Sequence, residues 1–104
     1  EKSSLLMEIQ DINLEQCTYV SGILKQLAHP RRLMILCLLS EKERSVNDLV
    51  ELTGASQSSV SQFLNKMKLQ GLVERQAQGQ QAYYSIVDEE VLALMKALHE
   101  TFCP

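Results

Sequence analysis

Apolar residues in this chain recur mostly three and four positions apart, the spacing that lines one face of a helix, and polar punctuation divides them into separate segments. Between residues 8 and 27, Ile12, Val20, Ile23, Leu24 and Leu27 form a partial stripe that Gln16 interrupts, which predicts a first helix with its stripe turned to a partner. His29-Pro30 breaks the pattern. Pro30 suits the first turn of a second helix, where a missing N–H costs no hydrogen bond, and Arg31 to Leu39 is short and strongly apolar. The polar stretch from Ser40 to Arg44 reads as the loop that ends it. Ser45 predicts the N-cap of a third helix, with Asp48 three residues on to return the bond and Val46, Leu49, Val50 and Leu52 behind it. Thr53-Gly54-Ala55 reads as a turn in which Gly54 takes the left-handed conformation, and Ser56 caps a fourth helix running to about Gln70. Two short helices on a glycine turn, over residues 45–70, predict a helix-turn-helix.

Gly71 stops the fourth helix. The alternation then changes, and Leu72 to Gln76 and Ala82 to Val87 read as two short strands separated by a loop, Ala77 to Gln81. A hairpin over residues 72–87, directly after a helix-turn-helix, is the arrangement of a wing, with Gly79 at a tip free to approach a phosphate backbone. Asp88, Glu89 and Glu90 supply the acids favoured at a helix N-terminus, and Val91, Leu94, Met95, Leu98 and Phe102 make a continuous stripe over residues 88–103. The expectation is one winged-helix domain over residues 1–104, mainly α with a small hairpin.

Composition narrows the function classes. At 104 residues the chain has the size of one domain, and its longest apolar run, Leu33 to Leu39, is far too short to cross a bilayer. The reading is a cytoplasmic protein with no membrane role. Net charge is −3, which argues against a surface that binds nucleic acid everywhere, yet the cations are local: Lys25, Arg31, Arg32, Lys42 and Arg44 in one stretch, Lys66, Lys68 and Arg75 in another. Such a footprint leaves sequence-specific contacts and dimerisation to supply much of any DNA affinity. No Ser, His and acid grouping, phosphate-binding glycine loop or cofactor fingerprint is present, which points away from an enzyme.

Four segments together carry a resemblance: Leu27-Ala28-His29-Pro30-Arg31-Arg32-Leu33, Ser56-Gln57-Ser58-Ser59-Val60-Ser61-Gln62, Leu69-Gln70-Gly71-Leu72-Val73 and Gln81-Ala82-Tyr83-Tyr84-Ser85-Ile86. With the element order they make residues 12–103 resemble the ArsR/SmtB family of winged helix-turn-helix repressors. The resemblance implies that the first and last helices, residues 8–27 and 88–103, form the dimerisation layer, and that a two-fold dimer reads an inverted-repeat operator in double-stranded DNA. On the fourth helix, inward packing of Val60, Leu64 and Met67 would turn Gln57, Ser58, Ser61, Gln62 and Asn65 outward as short polar groups able to reach base edges and phosphates. Ser59 and Lys66, with Arg75, Gln78, Gly79 and Gln80 of the hairpin, complete the candidate DNA-contacting set. Where many relatives have His after the Gln, this chain has Phe63, and no base contact is assigned there.

Relatives differ chiefly in what they sense. The Cys-x-Cys metal cluster that some carry near the third helix is absent from Ser45 to Leu49, and the second family metal site finds only Asp88, Glu90, His99 and Glu100 at its positions. Cys37 on the second helix and Cys103 near the chain end match the thiol pair of the HlyU/BigR/SqrR-like subgroup. That match implies a sensor of reactive sulfur or oxidant, in which the thiols join through a disulfide or sulfur bridge and DNA is released. Cys17 lies on the stripe of Val20 and Leu24 and reads as a packing or interface residue, while His29 reads as a cap or packing group. Two other readings stay open: a zinc-responsive repressor using Cys37, His99 and Cys103 as soft ligands, and a winged helix that binds only proteins.

Overall fold

The computed structural model describes residues 12–103. Helix α1 (Leu14–Leu27) begins at Asn13, whose side-chain oxygen accepts the Gln16 N–H at 2.8 Å; residues 8–11 of the predicted first helix lie outside the described part. Helix α2 (Pro30–Glu41) has Pro30 in its first turn as expected. His29 stands at its N-cap position but is exposed, and its side chain makes no capping bond. Strand β1 (Arg44–Ser45), helices α3 (Val46–Thr53) and α4 (Gln57–Leu69), strands β2 (Val73–Gln78) and β3 (Gln81–Ile86), and helix α5 (Glu89–Phe102) follow. The result is five helices around a small antiparallel sheet in the order β1-β3-β2.

The helix-turn-helix forms for the local reasons read in the sequence. Ser45 Oγ accepts from Asp48 N–H at 3.1 Å, and Asp48 Oδ2 accepts from Ser45 N–H at 3.2 Å, a reciprocal capping box. Gly54 ends α3 with φ +72°, the left-handed region that a side chain disfavours. Ser56 then caps α4, its Oγ accepting from Ser59 N–H at 3.1 Å. Because Ser45 is also buried, Ser45→Ala should cost about 1–2 kcal/mol of stability, read as a lower urea midpoint, whereas Ser45→Thr should keep most of it.

The structure corrects the expected loops on both sides of the helix-turn-helix. Ser40 and Glu41 complete α2 instead of leaving it, and Arg44 belongs to a strand. Arg44 causes the change: its Nε donates to the Leu38 carbonyl at 3.1 Å and its Nη2 pairs with Glu41 at 2.8 Å. The chain is thereby folded back over the end of α2, and Arg44 and Ser45 pair with Tyr84 and Tyr83 at the edge of β3. In the hairpin, Ala77, Gln78 and Gln81 are paired strand residues, not loop. The turn is only Gly79-Gln80, with positive φ at Gly79 alone, the pattern of a II′ hairpin turn. At the hairpin base, the Leu72 carbonyl accepts Val87 N–H at 3.0 Å and closes the sheet.

Leu36, Leu49, Val60, Leu64 and Met95 are fully buried and draw α2, α3, α4 and α5 into one core, which Tyr84 closes from the sheet side. Helix α1 joins it only towards its C-terminal end, through Leu27 and the partly buried Ile23. Of its 14 residues only Leu27 is buried, while Leu14, Tyr19, Val20 and Leu24 are exposed. A helix of that length is marginal in water without tertiary packing.

Candidate nucleic-acid interface and thiol pair

Helix α4 presents the face that its sequence predicts. Val60, Leu64 and Met67 are buried, and Gln57, Ser58, Ser59, Gln62, Asn65 and Lys66 are exposed. Ser61 is half-buried because it faces the hairpin. The candidate residues divide into two groups around the helix. On one side Ser61, Arg75 and Gln80 line a groove between α4, the start of α3 and the hairpin. On the other, Ser59, Gln62 and Lys66 line a cleft against the start of α2. Gln57, Ser58 and Asn65 line neither.

Two candidates are partly engaged within the chain. Gln78 Nε2 donates to Glu43 Oε1 at 3.2 Å, tying the wing to the segment before β1. Ser59 Oγ accepts from the Ser56 hydroxyl at 2.9 Å. Phe63, left without a base contact in the sequence reading, is buried, and Arg32 lies over its ring with the guanidinium carbon 5.6 Å from the centroid, within cation–π range. The sequence reading placed Arg31 and Arg32 only in a basic stretch; the fold brings both against α4. Their spacing from α4 in the chain hides this, since the contact depends on how α2 packs.

All three cysteines are free thiols. Cys37 is half-buried on α2, and Cys103 is exposed at the C-cap of α5, its N–H donating to the His99 carbonyl at 2.8 Å. Helices α2 and α5 pack against each other, which brings the two thiols into electrostatic range. Burial pushes the Cys37 thiol up from the ordinary thiol range, and the negative charges of Cys103 and then Glu41 add to the shift. Among the described residues no three His, Cys, Asp or Glu side chains converge as a metal cage, so Cys37, His99 and Cys103 are not assembled into a ligand set. Cys17 is exposed, and Val20 and Leu24 on its stripe are also partly open to solvent.

The model of the bacterial regulatory proteins of the arsR family matches residues 29–75, from the cap of α2 into β2. The HTH-type transcriptional regulator YgaV of Escherichia coli (strain K12) is 40% identical over 85 residues, covering 81% of this chain and 86% of that protein. This chain belongs to the ArsR family. Among solved structures, the ArsR-type fold superposes on HlyU from Vibrio cholerae N16961 with a TM-score of 0.80 at 34% identity, covering 88% of this chain and 100% of that one. A structure of reduced HlyU gives the same TM-score. The transcriptional repressor BigR from Xylella fastidiosa matches at 0.75 and 34% identity, covering 86% of this chain and 92% of that one. A homodimeric winged helix-turn-helix DNA-binding domain from Mycobacterium bovis matches at 0.66 and 31% identity, covering 86% of each chain. The fold is thus that of winged helix-turn-helix regulators, and the ArsR relatives are transcriptional regulators, not enzymes. No helix among the described residues is long and apolar enough to cross a membrane.

Proposed function

We propose that this ArsR-family chain is a homodimeric repressor that binds an inverted-repeat operator and is released when Cys37 and Cys103 become linked. The observation that carries the DNA half is the exposed polar face of α4 with Ser61, Arg75 and Gln80 gathered at its side. Short hydroxyl and amide side chains on a helix that fits the major groove read base edges, and a cation on the adjacent strand positions the backbone. Dimerisation is supported by α1, whose exposed Tyr19 and Val20 line an apolar groove with Val91 and Leu94 of α5. A second copy covering that groove would give α1 the packing it lacks. The homodimeric relative from Mycobacterium bovis supports the same assembly. Repression by occupancy needs only this DNA face; a reporter that falls when the protein is removed would reassign the chain as an activator, the term used for HlyU of Vibrio cholerae.

The sensing half rests on a half-buried and an exposed thiol placed on two helices that pack together. Cys103 is the accessible group. With a polysulfide, its thiolate attacks a sulfane sulfur, expels the shortened polysulfide and becomes a persulfide. Cys37 then gives up its thiol proton and attacks the protein-bound sulfur of that persulfide, the proton and the expelled hydrosulfide leaving as hydrogen sulfide and a Cys37–Cys103 disulfide remaining. With peroxide, a sulfenic acid on Cys103 loses water to the same bond. A disulfide of this kind in an intracellular regulator belongs to the transient, sensing class.

Two measurements test the two halves. Fluorescence anisotropy should show salt-dependent preference for the inverted repeat of the chain's own promoter over random duplex; equal binding to both would sink the repressor reading. Mass spectrometry of the reduced protein under limiting alkylation should find the exposed Cys103 and Cys17 labelled before Cys37. Labelling of Cys37 should rise only as pH climbs past the ordinary thiol range, because its raised thiol pKa keeps it protonated below that. Polysulfide should then produce one linked species, and sulfur addition confined to Cys17 would refute the Cys37–Cys103 assignment.

A further inference from the structure

We infer that the cleft between the first turn of α2 and the side of α4 remote from the wing is a seat for a DNA backbone phosphate, held by Arg31, Arg32 and Lys66; this rests on the DNA-binding reading above. Three features of the cleft converge on an anion. First, all three cations line it and no carboxylate does. The ion pair recorded among the described residues is elsewhere, between Arg44 and Glu41. Second, Arg31 and Arg32 occupy the first turn of α2, which contains no acid. Cations there oppose the helix dipole, an arrangement that is unfavourable in the free protein and is relieved by a bound anion.

Third, both guanidinium groups are held in place on their inner side while their outer edges stay available. Arg31 Nε donates to the Thr53 carbonyl at 3.3 Å, at the end of α3, and its terminal nitrogens have no hydrogen-bond partner among the described residues. Arg32 lies over Phe63 with its guanidinium carbon 5.6 Å from the ring centroid, and its guanidinium makes no ion pair among the described residues. A planar guanidinium fork suits bidentate contact with phosphate. Lys66 and the side chains of Ser59 and Gln62 complete the opposite wall. Since Gln62 is also on the base-reading side of α4, a phosphate in the cleft would be contiguous with the groove that α4 enters. The seat therefore fixes register and adds affinity without adding sequence information. It also explains why a chain of net charge −3 needs no generally basic surface to hold DNA.

The test is the salt dependence of operator binding by this chain. Arg31→Gln keeps a donor for Thr53, and Lys66→Gln keeps a polar side chain one bond shorter at an exposed position, so the pair R31Q and K66Q removes charge with little change in packing. The double variant should flatten the slope of log affinity against log salt by about one to two, since each lost phosphate contact removes about one from it. The ratio of operator to random-duplex affinity should stay within about twofold, and phosphate-ethylation interference should lose a protected position at each half-site. Lys96→Gln on α5 should change neither. A double variant with parental slope and interference pattern would overturn the phosphate seat while leaving the DNA reading intact. Weaker binding with an unchanged slope and a lowered melting temperature would also overturn it, by showing a structural role only. A parent chain without operator preference would remove the DNA reading itself.

Discussion

The variant Cys103→Ser should bind the operator as tightly as the parent chain and stay bound when polysulfide is added. Its hydroxyl can replace the thiol in volume but can neither take up a sulfane sulfur nor be attacked by Cys37. Because Cys103 is exposed at the end of α5, the change removes no core contact, and the folded protein should be unaffected. Cys37→Ser should give the same functional result with some loss of stability, since Cys37 is packed against the core. For the parent chain, linkage should weaken operator binding by about 5- to 150-fold, the range of coupling energies between sites in allosteric proteins. Anisotropy before and after polysulfide, with dithiothreitol reversal, measures it. If both single variants are released as readily as the parent, the thiol pair is not the sensor.

Leu64→Ala should be the most damaging single change to the DNA face, although Leu64 touches no DNA. Leu64 is fully buried on the inner side of α4, where it anchors the helix against the core shared with Leu36, Leu49 and Met95. Truncation removes the transfer energy of the lost carbons and leaves a cavity, together about 2–5 kcal/mol. A domain of this size is stable by only about 5–15 kcal/mol, so the variant should melt many degrees lower, and operator binding should fall as the folded fraction falls. Circular dichroism melts beside anisotropy at low temperature check it. A variant with parental melting would show that α4 is held by something other than this core.

What could be read in the sequence is what depends on neighbours in the chain. The Ser45–Asp48 capping box, the left-handed Gly54 and the cap at Ser56 are each set within a few residues, and all three stand where the pattern puts them. The inward set of α4 follows from period alone, because Val60, Leu64 and Met67 share one side of a helix. Two features escaped for the opposite reason. Strand β1 has only two residues, too few for an alternation to show, and it exists because Arg44 bends the chain onto β3. Beyond Val73, the residues of β2 are exposed on both faces, so Ala77 and Gln78 carry no hydrophobic alternation and look like loop. Pairing with β3 makes them strand. At the candidate site, the polar face of α4 was legible, whereas the approach of Arg31 and Arg32 to it was not: that contact is made by the packing of α2, and only the cations at a helix N-terminus hinted at it.

Arg44 has one more consequence. Its side chain holds the carbonyl of Leu38, the residue next to Cys37, while its backbone is paired with Tyr84, which in turn stands opposite Arg75 in β2. Helix end, edge strand and wing are thus coupled in series through one side chain and two ladder rungs, without a slack segment between them. If Cys37 is linked as proposed, strain entering the last turns of α2 has a short path through Arg44 and Tyr84 to Arg75, so the hairpin would be moved from its root and not from its tip.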